Sequence, residues 1–243
     1  VEIVIAHMGN MSQLVPALSV IKRIKKQEIK IDITWVVKEE NLCYINKYNR
    51  DVKRTITLPQ FSQEKKMYDL FINLYPIFPT NLKSNAGIRN TTGFCFCEKY
   101  DEFKGIFLGE NSFLDISVLQ LYFMLCGFTW KGEGYNTGYY PKTKSRKNRV
   151  GISVANANLR NYVLENLELE DMKVWYIPYK KNIFRKMDEI NRCKKIITDD
   201  LTTLHLAISM RKYVYYLNTF PLRAKLELFN NGQIHKVPTS VFQ

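Results

Sequence analysis

Short apolar runs alternate with amphipathic stretches along almost the whole chain. Residues 1–6 form a run of β-branched and small apolar residues, the composition of a central parallel strand. Ser12 is placed to cap the next stretch, where Leu14, Val15, Leu18 and Ile21 recur at helical spacing to about Lys26. Pro16 falls near its first turn, where proline is best tolerated. Further strands are predicted over 31–37, 52–58, 69–74, 93–97, 150–154, 174–177, 196–198 and 213–217. Helices are predicted over 39–48, 63–68, 114–128, 159–167, 182–192 and 202–210. Pro76, Pro79, Asn81 and Asn85 mark a long loop. Strands that alternate with helices imply parallel sheets joined by right-handed crossovers, an α/β fold.

The stretch 131–148 is rich in Gly, Tyr, Lys and Pro and reads as a linker. It divides the chain into an N-terminal Rossmann-like domain (1–137), a linker (138–149) and a reduced C-terminal Rossmann-like domain (150–243). Each half holds a strand that runs into a polar turn and then a helix start. The first is His7-Met8-Gly9-Asn10; the second is Asp200-Leu201-Thr202-Thr203, followed by Leu204-His205-Leu206-Ala207. Free backbone N–H groups and the positive end of the helix dipole make such a turn a candidate phosphate site. Ligands of parallel sheets bind at the carboxyl ends of strands, so two halves facing one cleft are expected.

Composition narrows the partners. Lys and Arg number 36 against 23 Asp and Glu, a net charge of +13. That surface favours nucleic acid, anionic lipid or phosphorylated sugars, although a compositional bias with a solvated surface is the simpler alternative. No zinc finger, RNP-like run or helix-turn-helix signature is present, so nucleic acid is not the expected partner. Lys22, Arg23, Lys25 and Lys26 cluster where cations suit a helix C-terminus; they could also meet an anionic acceptor or a membrane surface.

The five cysteines, Cys43, Cys95, Cys97, Cys126 and Cys193, are odd in number and read as buried thiols of a reducing compartment. Cys95-x-Cys97 alone is a weak metal signal, so no metal site is expected. The longest apolar stretch, 113–128, is interrupted by Asp115 and suits a core helix better than a membrane span. Val1 reads as part of the first strand, with no signal peptide before it, so a cytoplasmic protein is expected, possibly peripheral at the inner face of the membrane.

The motifs resemble those of glycosyltransferase family 9, the ADP-heptose:lipopolysaccharide heptosyltransferases. His7-Met8-Gly9-Asn10-Met11-Ser12-Gln13-Leu14-Val15-Pro16-Ala17-Leu18 resembles the family's opening strand, Gly-Asp turn and Pro-Ala-Leu helix. Tyr68-Asp69-Leu70-Phe71-Ile72-Asn73-Leu74 resembles its third-strand region. Ala86-Gly87-Ile88-Arg89 with Gly93-Phe94 resembles its Arg-Gly-Phe segment, and Asp200 to Ala207 its Asp-Thr-Gly-x-x-His-Leu-Ala. The resemblance implies a GT-B architecture and a bacterial source. It also implies transfer of a sugar from a nucleotide diphosphate sugar to an anionic glycan, lipid-linked or protein acceptor, without metal or further cofactor. It places Gly9, Asp200, Leu201, Thr202, Thr203 and His205 at the substrates and the turn at Asn10 at the chemistry.

The pattern also departs from the family. The general-base carboxylate of the Gly-Asp turn is Asn10 here, and an amide has no basic lone pair to take a proton. His7 is a possible substitute base, with a suitable intrinsic pKa. The motif glycine is read as Leu201 here, which narrows close backbone approach to a phosphate. Arg160 is the nearest candidate for the basic residue expected after the first strand of the second half. The stretch 178–200 reads as short by about one strand–helix unit. The alternative function is therefore a catalytically inactive GT-B protein that acts as a binding or scaffold component.

Overall fold

The computed structural model describes residues 1–27, 30–42, 44–45, 49–76, 85–94, 114–138, 145–146, 148–167, 169, 172–179, 182–219, 224–225, 232–238 and 241. It divides into two compact units, Val1–Tyr139 with Arg223–Glu227, and Tyr140–Leu222 with Leu228–Gln243.

The first unit is built on a five-stranded parallel sheet of order β3-β2-β1-β4-β5. Its strands are β1 (Glu2–His7), β2 (Asp32–Val37), β3 (Arg54–Thr57), β4 (Met67–Asn73) and β5 (Gly87–Gly93). β1 is buried from Ile3 to His7, as its unbroken apolar run requires of a central strand. On one face Val4, Ala6, Val36, Ile56, Phe61, Tyr68 and Phe71 form a continuous core. Helix α1 (Met11–Ala17) is capped by Asn10, not Ser12. The reason is the Asn-x-x-Gln spacing: Asn10 Oδ1 accepts from the Gln13 N–H (3.2 Å) while Gln13 Oε1 accepts from the Asn10 N–H (3.1 Å). The predicted helix to Lys26 breaks at Leu18 and Ser19 and resumes as α2 (Val20–Lys25).

Two other boundaries move because of caps. The helix predicted at 63–68 forms earlier, as α3 (Leu58–Ser62), where Thr57 and Gln60 make a capping box. The predicted helix 114–128 splits into strand β6 (Leu114–Ser117) and helix α4 (Val118–Leu125), with Ser117 accepting the Gln120 N–H. A short strand, β11 (Ala224–Lys225), returns late in the chain to pair with β6. Of the loop and strand predicted between 76 and 97, Pro79, Asn81, Cys95 and Cys97 lie outside the described residues, as does Cys43.

Gly93, at the end of β5, has φ +93°, and an added Cβ would collide with the Asn73 carbonyl oxygen. Gly93→Ala is expected to cost at least about 2 kcal/mol, from backbone strain plus that clash. Urea unfolding of the two proteins measures it.

The second unit repeats the architecture with a five-stranded parallel sheet of order β12-β10-β9-β7-β8. Strands are β7 (Arg149–Ser153), β8 (Lys173–Tyr176), β9 (Lys195–Thr198), β10 (Tyr213–Asn218) and β12 (Gly232–Lys236). Helices α5 (Ala157–Asn166), α6 (Ile183–Asn191) and α7 (Leu201–Ser209) connect them. The sheet is complete because Gly232–Lys236, which the hydrophobic pattern leaves unassigned, adds the edge strand beside β10. Its exposed side chains explain why no apolar run marks it. Val150, Ile152, Leu159, Val163, Ile197 and Leu217 are the centre of the core.

In each unit the strand order reverses beside the first strand, between β1 and β4 and between β7 and β9. The carboxyl ends at these reversals are where an open parallel sheet admits a ligand.

Candidate functional site

Both predicted turns lie at those reversals. In the first unit, the His7–Asn10 turn follows β1. His7 is fully buried. Its Nδ1 accepts the Gly9 N–H at 3.3 Å, which leaves Nε2 as the donor to the Tyr122 hydroxyl at 2.9 Å. The Tyr75 and Tyr122 rings pack on it at 5.8 and 5.7 Å between centroids. Burial, with a smaller contribution from the Lys38 charge, lowers its pKa to about 3. His7 is therefore corrected from substitute base to structural residue. It is neutral at physiological pH, and both nitrogens hold the turn.

Gly9 is pinned on every side. Its carbonyl accepts from Asn41 Nδ2 at 3.2 Å. A Cβ there would meet Gln13 Oε1 at 2.5 Å and His7 Cε1 at 2.7 Å, atoms that make the cap and the buried hydrogen bond. Asn10 is exposed, but its Oδ1 is engaged twice, by the Gln13 N–H and by Ser12 Oγ at 2.6 Å. Its Nδ2 takes no part in these bonds.

In the second unit, Asp200 caps α7. Its Oδ1 accepts the Thr202 N–H at 3.2 Å, and its Oδ2 accepts the Thr203 N–H at 3.0 Å and the Thr203 hydroxyl at 2.6 Å. Lys186 Nζ, from α6, reaches the same Oδ2 at 2.9 Å, with side-chain exposures of 6% and 14%. Burial alone would raise the Asp200 pKa; the Lys186 charge and the bonds from Thr203 and Lys186 outweigh it and hold the carboxyl below its usual range.

The consequence corrects the role expected for this turn. The Thr202 and Thr203 N–H groups and the Thr203 hydroxyl already have an anion, the carboxylate of Asp200, so they are not open donors for a phosphate. His205 is buried at 3% exposure, and burial lowers its pKa to about 4 against the pull of Asp200. It is a neutral interior residue. Leu201, half-buried, opens the helix without a polar group to offer.

Four residues that the motifs do not single out gather around this cap. Asp199 has a raised pKa, through burial and the adjacent Asp200 charge, and its shielded Oδ1 has no hydrogen-bond partner among the described residues. Lys186 Nζ lies 5.4 Å above the Tyr179 ring. The Tyr179 hydroxyl is raised by burial and by both carboxylates; that of Tyr216 is pushed up to about 12. Periodicity carries a signal for Lys186. It shares a buried helix face with Met187 and Ile190, where a lone cation needs a partner.

Beside this cluster a cavity of about 430 Å³ opens at the carboxyl ends of β7 and β8. Val154, Ile177, Pro178, Tyr176, Tyr179 and Arg160 line it. Tyr176 and Tyr179 are 53% and 43% exposed. Arg160 sits in the first turns of α5, and its shielded Nε has no hydrogen-bond partner among the described residues. Apolar walls, two exposed aromatic rings and one cation suit a flat organic ligand that carries negative charge. Among the described residues, no cluster of His, Cys, Asp or Glu could hold a metal ion, and no helix is long and apolar enough to cross a membrane.

No family model matches the chain, and no curated protein matches it in sequence. Solved structures do match in fold. Heptosyltransferase WaaC from E. coli superposes with a TM-score of 0.65 at 11% identity, over 98% of this chain and 94% of its own. The chain has the fold of the heptosyltransferases. A glycosyltransferase of family 9 from Veillonella parvula gives a TM-score of 0.60 at 12% identity, over 97% and 86% of the two chains. ADP-heptose lps heptosyltransferase II from E. coli gives 0.59 at 10% identity, over 98% and 91%. Likeness to these GT-B glycosyltransferases spans both units, in line with the two parallel sheets and with the resemblance of the motifs.

Proposed function

We propose that this heptosyltransferase-fold protein is a glycosyltransferase that takes a nucleotide diphosphate sugar in its second unit. The observation that carries the reading is the cavity with Arg160 at its wall. Tyr176 and Tyr179 offer ring faces to a nucleobase, and Arg160 offers a forked guanidinium to the diphosphate. The WaaC structure is described with ADP-2-deoxy-2-fluoro heptose, which makes ADP the first nucleotide to try. In this reading Arg160, rather than the α7 turn, stabilises the charge that develops on the departing nucleoside diphosphate. No metal or further cofactor is invoked in this reading, in which the Arg160 guanidinium supplies the positive charge.

The acceptor side is assigned to the Gly9–Asn10 turn, with an anionic glycan, lipid-linked or protein acceptor matched to the net charge of +13. Asn10 can orient an acceptor hydroxyl but cannot deprotonate it. Glu39 and Glu40 are exposed carboxylates at the carboxyl end of β2, on the short turn whose Asn41 ties to Gly9, and are candidates for the missing base.

The second reading, a protein that binds a nucleotide sugar or a glycan without turnover, is favoured by one observation. The turn holds no carboxylate, and its histidine has both nitrogens engaged.

Arg160→Met is expected to weaken nucleoside diphosphate binding about tenfold to a hundredfold, the usual worth of a charge-assisted contact. Thr202→Ala, which removes only a hydroxyl that this reading does not use, should leave it within about threefold. Calorimetric titration with ADP compares them. The reverse order of effects would return the diphosphate to the α7 turn.

A further inference from the structure

Three side chains form a chain of contacts that ends at the cavity of the second unit. Asp200, which caps α7, holds the Lys186 ammonium at 2.9 Å. Lys186, on α6, places that ammonium 5.4 Å above the Tyr179 ring. Tyr179 lines the cavity and is 43% exposed. The charged pair is shielded from water, and the ring is open to a ligand.

Each contact has a physical cause. A buried ammonium needs a counter-charge, and Asp200 supplies it. A cation within about 6 Å of a ring centroid is attracted by the negative face of the ring. Lys186 cannot swing away, because leaving Asp200 would strand two buried charges. Tyr179 lacks that kind of restraint in the sheet. It follows Pro178, beyond the β7–β8 ladder, whose pairing ends at Tyr176.

We infer that Lys186 is a positioning residue of the donor site: it fixes the Tyr179 ring on which the nucleotide packs, and Asp200 serves the nucleotide through it. The inference rests on the nucleotide reading of the cavity. It gives Asp200 a part in binding, although the donors of its turn are closed to a phosphate. A ring fixed before the ligand arrives has less freedom to lose on binding, which is the source of the gain in affinity. A purely structural ion pair would stabilise the unit and leave affinity alone.

Lys186→Met with Asp200→Asn removes the pair without leaving a buried charge, and asparagine keeps the cap. In calorimetry this double variant should bind ADP about threefold to tenfold more weakly, the worth of one cation–ring contact. In a Tyr179→Ala background the same double change should alter affinity less than about twofold, because the ring it acts through is gone. Lys186→Arg keeps a cation between Asp200 and the ring and should stay within about twofold of the parent. Met187→Ala, a core truncation on the same helix, should cost stability yet leave affinity within about twofold.

A second readout needs no nucleotide. In protein labelled with fluorotyrosine, the shift of the Tyr179 fluorine resonance between light and heavy water reports the exposure of that ring, and Tyr179→Phe identifies the resonance. This shift should rise toward its unfolded-chain value in Lys186→Met with Asp200→Asn, and stay at the parent value in Lys186→Arg. An unchanged shift in the double variant, or equal losses of ADP affinity with and without Tyr179, would overturn the inference. A parent protein that binds no ADP, with the fluorine shift responding as expected, would instead overturn the nucleotide reading and still support Lys186 as the residue that positions Tyr179.

Discussion

Asp200→Ala is expected to destabilise the second unit by about 3–5 kcal/mol, because it leaves the Lys186 ammonium buried without its partner. Lys186 is 5% exposed, so water cannot replace the carboxylate without local opening. Loss of the α7 cap contributes about 1 kcal/mol within that range. Asp200→Asn separates the two effects. Asparagine is an equally good cap, so what remains is the unpaired cation. Adding Lys186→Met removes that cation while keeping its apolar stem, and should restore stability to within about 1 kcal/mol of the parent. Urea unfolding of the three variants measures these differences. A loss below about 1 kcal/mol in Asp200→Ala would mean that the pair does not hold the unit together.

Acidification is expected to unfold the protein well before its carboxylates titrate. His7 and His205 are 0% and 3% exposed, with pKa values lowered to about 3 and about 4. In the unfolded chain both titrate near 6.5. Below that pH the unfolded state binds protons that the folded state refuses, so stability is present in full above about 6.5 and falls as pH drops toward 4. Each unit holds one such histidine, so the slope for unfolding of either unit approaches about 1.4 kcal/mol per pH unit in the middle of that window. Asp200, whose pKa is also depressed, extends the loss below about pH 4. Urea unfolding at a series of pH values reads the slope. A flat profile between pH 6.5 and 4.5 would contradict the buried, neutral state of both histidines.

The strands that precede the two turns were legible because each carries a short apolar core. Ile3 to Ala6 and Ile196 with Ile197 are clear cases, and they mark the two sheet reversals. What the pattern missed was decided by side chains acting on backbone ends. Ser117 starts a helix inside a stretch that reads as one apolar helix, and Asn10 outcompetes Ser12 because Gln13 completes its box. The edge strand at Gly232–Lys236 has no apolar signature because its side chains face water.

The turns at His7–Asn10 and Asp200–His205 were placed correctly in the fold, yet their chemistry was not legible. Whether a helix start is open to phosphate depends on where its donors already point, and Asp200 takes two backbone N–H groups and a hydroxyl. Whether a histidine can act as a base depends on burial, which a lone letter in a turn does not reveal. Tyr176 ends β8 and Tyr179 lies just beyond it, and nothing in their spacing separates them from the other tyrosines among 15. Arg160, the nearest cation after β7, was legible in position; its place in a cavity wall was not.

The measurement that bears most directly on the account is a calorimetric titration of the full chain with ADP, UDP, GDP and their sugars. Saturable binding of at least one, lost in Arg160→Met and retained in Thr202→Ala, is the predicted result. No heat with any of them at millimolar concentration would contradict a nucleotide-sugar site in the second unit, and with it the glycosyltransferase reading.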